Sequence, residues 1–175
     1  MRIIRGLQDV RRVVTGERSD GGSYVVSDGS VPFVDGALSF AGFWATAPEL
    51  GIPVRGAGDE PLEMMAQAKP SVGETRFGAI WYPPYSQVGE EIIASAGANA
   101  SPRGSRSYTG RHATMSYDYV IIVQGEIWLQ LDEGEVLLKA GDAIVQGGVA
   151  HSWHNRSDAP CLFYCIIIGA DRRAD

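Results

Sequence analysis

The sequence is poor in the features that would staple, anchor or charge-steer a chain. Its 175 residues include only two cysteines, Cys161 and Cys165. Four apart on an expected strand, they share a face but sit too far apart to bridge easily. A disulfide scaffold is therefore disfavoured, and two packed, reduced thiols in a cytoplasmic protein are expected. No apolar run approaches the roughly 20 residues a spanning helix needs, and the longest, Cys161–Ala170, stops well short. The opening MRIIRGLQDVRR lacks the apolar centre of a signal peptide. Positive charge is also scarce: 15 Lys and Arg against 21 Asp and Glu give a net charge of −6. With no basic cluster to follow a phosphate backbone, nucleic acid is disfavoured as a partner. Gly104-Ser105 lies in a loop, outside any strand-to-helix elbow of the nucleophilic kind, and Gly141-Asp142 precedes no helix, so it is not a phosphate loop.

What remains is an ordinary globular composition, 45% hydrophobic and 21% charged, in a chain long enough to bury one core. Val13–Thr15 and Ser23–Val26 flank a Ser-Asp-Gly-Gly turn and predict an N-terminal hairpin. Ala37–Thr46 predicts an aromatic strand with Leu38, Phe40 and Trp44 on one face. Residues 47–73, carrying Pro48, Pro53, Pro61 and Pro70, predict loop with a helical turn at Leu62–Ala68. Glu74–Tyr82 predicts a strand stopped by Pro83-Pro84. Ser86–Thr109, rich in Gly, Ala and Ser, reads either as a lid over a barrel mouth or as a surface insertion, with a helical turn at Glu90–Ala96. Strands then follow closely: Tyr117–Val123, Glu126–Leu131, Glu135–Lys139, Ala143–Gln146, Ala150–His154 and Cys161–Ile168. Short strands with no long helix predict an all-β barrel.

All three histidines, His112, His151 and His154, lie in residues 110–155. A first block reads His112-Ala-Thr-x3-Asp118-x6-Gly125, and a second reads Gly141-Asp142-x8-His151-x3-Asn155. Strand side chains alternate, so His112, Thr114, Ser116 and Asp118 share a face that Val120 and Ile122 continue. The expected barrel has an apolar floor and a polar mouth, and two such blocks on facing strands can converge on one point.

These blocks resemble the paired motifs of the cupin superfamily, Gly-x5-His-x-His-x3 or x4-Glu-x6-Gly and Gly-x5-Pro-x-Gly-x2-His-x3-Asn. His112 and Gly125 stand at the first histidine and closing glycine; Thr114 replaces the second histidine and Asp118 the glutamate. Gly141, Gly147-Gly148, His151 and Asn155 match the second motif, one residue short and without its proline. The resemblance covers roughly residues 75–170 and implies a cupin double-stranded β-helix, a jelly-roll-like barrel. It divides the chain into an N-terminal arm and loops (1–73), a barrel (74–170) and a tail (171–175). It also implies a homodimer in which the arm packs on a partner barrel; the alternative is that the arm covers its own.

The resemblance implies a divalent metal, Fe, Zn, Mn or Ni, on His112, Asp118 and His151, a two-His-one-carboxylate set with open positions. Thr114, a poor ligand, would bond a water or the substrate. The implied function is a metal-dependent enzyme acting on a small oxygenated organic molecule, as a decarboxylase, lyase, isomerase or dioxygenase. The rival reading is a non-catalytic, metal-free small-molecule binder in which Asp118 and His151 form a satisfied polar pair. Gln146, before the Gly-Gly turn, would bond either a ligand or turn backbone, and Trp153 would wall a ligand pocket or pack the barrel. His154, of opposite parity to His151, is expected at the surface or an interface. Tyr117 and Tyr119 are expected under the arm, and Arg76 facing solvent.

Overall fold

The computed structural model describes residues 3–34, 38–67, 69–87 and 110–173. The helical turn expected at Glu90–Ala96, and nearly all of the segment read as lid or insertion, lie outside the described residues.

Eleven strands and a short α-helix, with 3-10 turns at Leu7–Asp9 and Ala57–Asp59, are among the elements of the described residues. They are β1 (Arg11–Glu17), β2 (Ser23–Ser30), β3 (Phe33–Val34), β4 (Ser39–Thr46), α1 (Leu62–Met65), β5 (Thr75–Tyr82), β6 (Ser116–Gln124), β7 (Glu126–Leu131), β8 (Gly134–Lys139), β9 (Ala143–Gly147), β10 (Ser152–His154) and β11 (Cys161–Gly169). β1 and β2 form the expected hairpin. A six-stranded antiparallel sheet runs β3-β4-β5-β11-β6-β9, and a three-stranded one runs β10-β7-β8. The pairs β6–β11 and β7–β10 are successive rungs of one antiparallel ribbon wound on itself, a double-stranded β-helix. No helix among the described residues is long and apolar enough to cross a membrane.

Strand β6 shows how the sequence sets the barrel. Its alternation turns Ser116, Asp118, Val120 and Ile122 inward and leaves Tyr117, Tyr119 and Ile121 outward. Gly125 then reverses the chain at φ 80°, in the left-handed region; a Cβ there would lie 2.5 Å from the Pro160 carbonyl oxygen. β11, paired on both edges, reads as a continuous apolar run: its inner face lines the barrel and the Leu162 end of its outer face is covered, while Ile166 is exposed. Its inward Phe163 and Cys165 join Val120, Ile122, Ile127 and Leu129 in the barrel core. Its outward Leu162 joins a second cluster, where Leu7, Val10 and Val31 of the N-terminal segment pack on Ala41, Phe43 and Ala79. The Gln124 side chain clamps that segment, accepting from the Ile4 N–H at 3.0 Å and donating to the Ile4 carbonyl at 2.8 Å. Arg12, largely buried, pairs with Glu60 at 2.9 Å.

Four details depart from expectation. A bulge between Gly42 and Trp44 breaks the parity of β4, so Phe43 is buried in the outer cluster while Trp44 is only half-buried. Arg76 is buried, not solvent-facing: it pairs with Glu74 at 2.8 Å and donates to the carbonyls of Gln67 and Thr75, because the segment after α1 folds over that end of β5. Tyr117 and Tyr119 are exposed rather than covered, since the N-terminal segment lies on the other half of that face. β10 begins at Ser152, because His151 forms an isolated bridge with His112. Cys161 and Cys165 are buried free thiols, and burial pushes both up to about 12, which leaves them inert.

Candidate functional site

His112 lies before β6 and His151 before β10. Reciprocal main-chain hydrogen bonds of 3.0 and 2.9 Å join them, which sets their rings side by side with centroids 4.5 Å apart and planes tilted by 55°. The two rings share a local device. His112 Nδ1 lies 2.9 Å from the Gly110 carbonyl, and His151 Nδ1 lies 2.9 Å from the Val149 carbonyl. A carbonyl only accepts, so each Nδ1 carries a proton; a ring in its neutral form then has its lone pair on Nε2. His151 is only 2% exposed. Burial is the main reason its pKa falls to about 4; the nearby His112 and Arg111 push the same way, and the Val149 bond opposes them. His151 is therefore neutral at physiological pH.

Asp118 comes from the inward face of β6. Ser116 Oγ donates to its Oδ1 at 2.5 Å. Burial raises its pKa, while Ser116, His112 and Thr114 pull it down without reversing the direction. The Thr114 hydroxyl is near enough to favour the anion, yet the contact falls short of hydrogen-bond geometry and Thr114 Oγ1 has no partner. Gln146, directly across the ladder from Asp118, is 4% exposed, and its Nε2 is likewise buried without a partner.

These five polar residues line one cavity of about 330 Å³. Its remaining wall is mostly apolar: Ile80, Tyr82, Val120, Trp153, Phe163 and Ile167 contribute, with Leu38, Cys165 and the Lys69 side chain. Trp153 stacks on Phe163 at 5.4 Å and meets His151 edge-on at 6.0 Å. Tyr82 braces it by donating to the Trp153 carbonyl at 2.8 Å. Asn155 closes the barrel end, donating to the carbonyls of Tyr82 and Ala159 and accepting from Ser157. His154 points elsewhere, with Ser152 and Tyr85 beside it. The cavity thus gathers His112, Thr114, Asp118, Gln146, His151 and Trp153, and omits His154 and Arg76. Sequence reasoning did not nominate Tyr82, Leu38 or Lys69, because only the pairing of β5 and the path of the chain before it bring them to this wall.

The fit to a metal is partial. Both imidazoles line the cavity, but among the described residues no three His, Cys, Asp or Glu side chains are grouped closely enough to hold an ion. The protein offers two nitrogens, with the carboxyl of Asp118 set apart and engaged by Ser116.

Residues 101–167 match the Cupin_2 family model, described as the cupin domain. That stretch is similar to the cupin domain, and it carries both motifs singled out in the sequence. Among known proteins, the chain is 53% identical over 47 residues to the phomopsin biosynthesis cluster protein C' of Diaporthe leptostromiformis, 26% of this chain and 25% of that one. It is 47% identical over 45 residues to the cupin-domain-containing oxidoreductase virC of Hypocrea virens (strain Gv29-8 / FGSC 10586), 25% of this chain and 23% of that one. The matched segment thus spans about a quarter of the length of these curated relatives. Among solved structures, an RmlC-like cupin from Shewanella frigidimarina NCIMB 400 aligns with a TM-score of 0.43 at 15% identity, over 80% of this chain and 85% of that chain.

Proposed function

We propose that the barrel cavity binds a small oxygenated organic molecule and acts on it as a metal-dependent enzyme of the lyase or isomerase type, with His112, His151 and Asp118 as its working groups. The observation that carries this reading is the pair of tautomer-locked imidazoles, both holding Nε2 free beside an apolar cavity. Nε2 of His112 and His151 would hold a divalent ion (Fe, Zn, Mn or Ni), which when bound supplies Lewis-acid polarisation of a substrate oxygen. The chain's own residues do the rest. Gln146 Nε2 and Thr114 Oγ1, each buried and unpartnered, offer hydrogen bonds to a ligand oxygen. Asp118, its carboxyl pKa raised by burial, stands at the cavity wall as a group that could exchange a proton with the ligand. Trp153 and Phe163 present a stacked aromatic wall to the ligand body and exclude water. A volume near 330 Å³ sits at the small end of ligand pockets.

Two features favour a second reading, a metal-free binder: no third ligand joins the two nitrogens, and Asp118 is already bonded to Ser116. The virC relative, named as an oxidoreductase, keeps redox chemistry as the alternative form of the first reading. Metal analysis of protein purified without an affinity tag separates these. Stoichiometric metal, lost in His151→Ala, supports the enzyme; iron with substrate-dependent oxygen uptake selects the dioxygenase form, and zinc without uptake the lyase or isomerase. Metal-free protein whose ligand binding survives in His151→Ala selects the binder.

A further inference from the structure

Among the described residues that line the cavity, Lys69 is the only lysine or arginine. It is exposed while lining the cavity, so it stands where the cavity opens. A single ion pair fixes the chain on both sides of it. Two residues before Lys69, the Gln67 carbonyl accepts from Arg76 Nε at 3.2 Å. Two residues after it, the Ser71 N–H donates to Glu74 Oε2 at 2.8 Å, the same oxygen that Arg76 Nη2 meets at 2.8 Å. Arg76 is only 3% exposed, and a buried charge that loses its partner is costly, so the pair resists opening. Past Ser71 the segment is tied to the end of β11: the Gly73 N–H donates to the Gly169 carbonyl at 3.4 Å, and the Gly169 N–H to the Glu74 carbonyl at 3.0 Å. A Cβ at Gly169 would run into the Ser71 carbonyl. The buried Arg76 thus seats Lys69 at the opening.

The buried part of the cavity is polar in a different way. Gln146 Nε2 and Thr114 Oγ1 are buried there without hydrogen-bond partners, and buried donors call for an acceptor. Gln146 also lies directly across the ladder from Asp118. A ligand carboxylate at Gln146 would therefore crowd a second carboxyl group against Asp118, an arrangement that like charges oppose. A neutral carbonyl or hydroxyl oxygen suits that end, and a carboxylate suits the solvated ammonium at the opening. Between the two ends the wall is apolar, with Ile80, Val120, Trp153 and Phe163. We infer that Lys69 sets the ligand class: an amphipathic monocarboxylate, its carboxylate on Lys69, its apolar body along Trp153 and Phe163, and a neutral oxygen on Gln146 and Thr114. The inference rests on the cavity being the ligand site, and it requires no metal.

The test is isothermal titration calorimetry of the full chain with two matched pairs: para-hydroxycinnamate and its amide, and ω-hydroxyoctanoate and its amide. Each pair keeps the apolar body and the far hydroxyl and differs by one charge. At least one acid should bind about fivefold more tightly than its amide, the upper range for an exposed ion pair. The preference should shrink at high salt, because Lys69 is exposed. Lys69→Met should abolish the preference and leave the amide affinity unchanged, which shows the site still folded, and Lys69→Arg should keep the preference. Equal binding of acid and amide in both pairs overturns the inference and leaves the cavity standing as the ligand site. An acid preference that survives Lys69→Met also overturns it, because the carboxylate then sits elsewhere, as on an ion held by His112 and His151. Binding of no probe overturns the inference and the ligand site together.

Discussion

Acidification should strip stability from this protein through one histidine. His151 is held neutral, with a pKa near 4 in the fold against about 6.5 in the unfolded chain. Between those values the unfolded chain binds the extra proton and the folded chain does not, so stability rises with pH across that window. The contribution is complete above about pH 6.5 and is lost as pH falls: about 2 kcal/mol by pH 5 and about 3 kcal/mol by pH 4, from the linkage relation at roughly 1.4 kcal/mol per unit. Other groups titrate nearby. Asp28, Glu74 and Glu135 have lowered carboxyl pKa values through their arginine partners, with the Ser71 N–H leading for Glu74; they also lose stability in acid, at lower pH. Asp118, raised by burial, acts in the opposite sense. The His151→Gln variant shares all of these, so the comparison isolates the imidazole. The assay is urea unfolding of chelator-treated wild type and His151→Gln between pH 7 and pH 4, since an ion on Nε2 would compete with the proton. Wild type should lose about 3 kcal/mol more than the variant. Parallel curves, or an NMR titration placing the His151 ring near 6.5, would refute the reasoning.

Two further outcomes test the packing around the cavity. Gln146→Leu removes a buried donor that has no partner, so stability should hold within about 1 kcal/mol or improve, while ligand-induced thermal shifts disappear; differential scanning fluorimetry with and without ligand reads both. Gly125→Ala forces a side chain into the left-handed region and against the Pro160 carbonyl. It should cost about 3 kcal/mol, read as a lower denaturant midpoint with an unchanged slope.

The barrel was legible because its strands alternate. The period of two on β6 carried the inward set from Ser116 to Ile122 correctly, and glycines at 125, 134, 141 and 148, all at positive φ, marked turns that few other residues take. The site was legible to the extent that parity holds: His112, Thr114 and Asp118 line one cavity with His151, Gln146 and Trp153. What parity cannot see is an inserted residue or a covering loop. The Phe43 bulge is one extra residue in the ladder, and the single Gly42 before it is a cue that parity alone does not use. Arg76 looked solvent-facing because its partners, Glu74 and the Gln67 carbonyl, depend on where the segment after α1 comes to rest. The spacing of Asp118 also left open whether its carboxyl reaches the two imidazoles. That is a matter of ångströms and of Ser116 bonding it first.

The backbone bridge between residues 112 and 151 makes the rim and the imidazole pair a single mechanical unit. Only two main-chain hydrogen bonds stitch that seam. Breathing wide enough to pass a bulky guest there would part the two rings and break the tautomer locks that depend on the adjoining carbonyls. A guest must enter elsewhere along the rim, or the pair is dismantled and rebuilt at each visit. Exchange of the two bridging amides with deuterated solvent would therefore report how often the working groups are assembled.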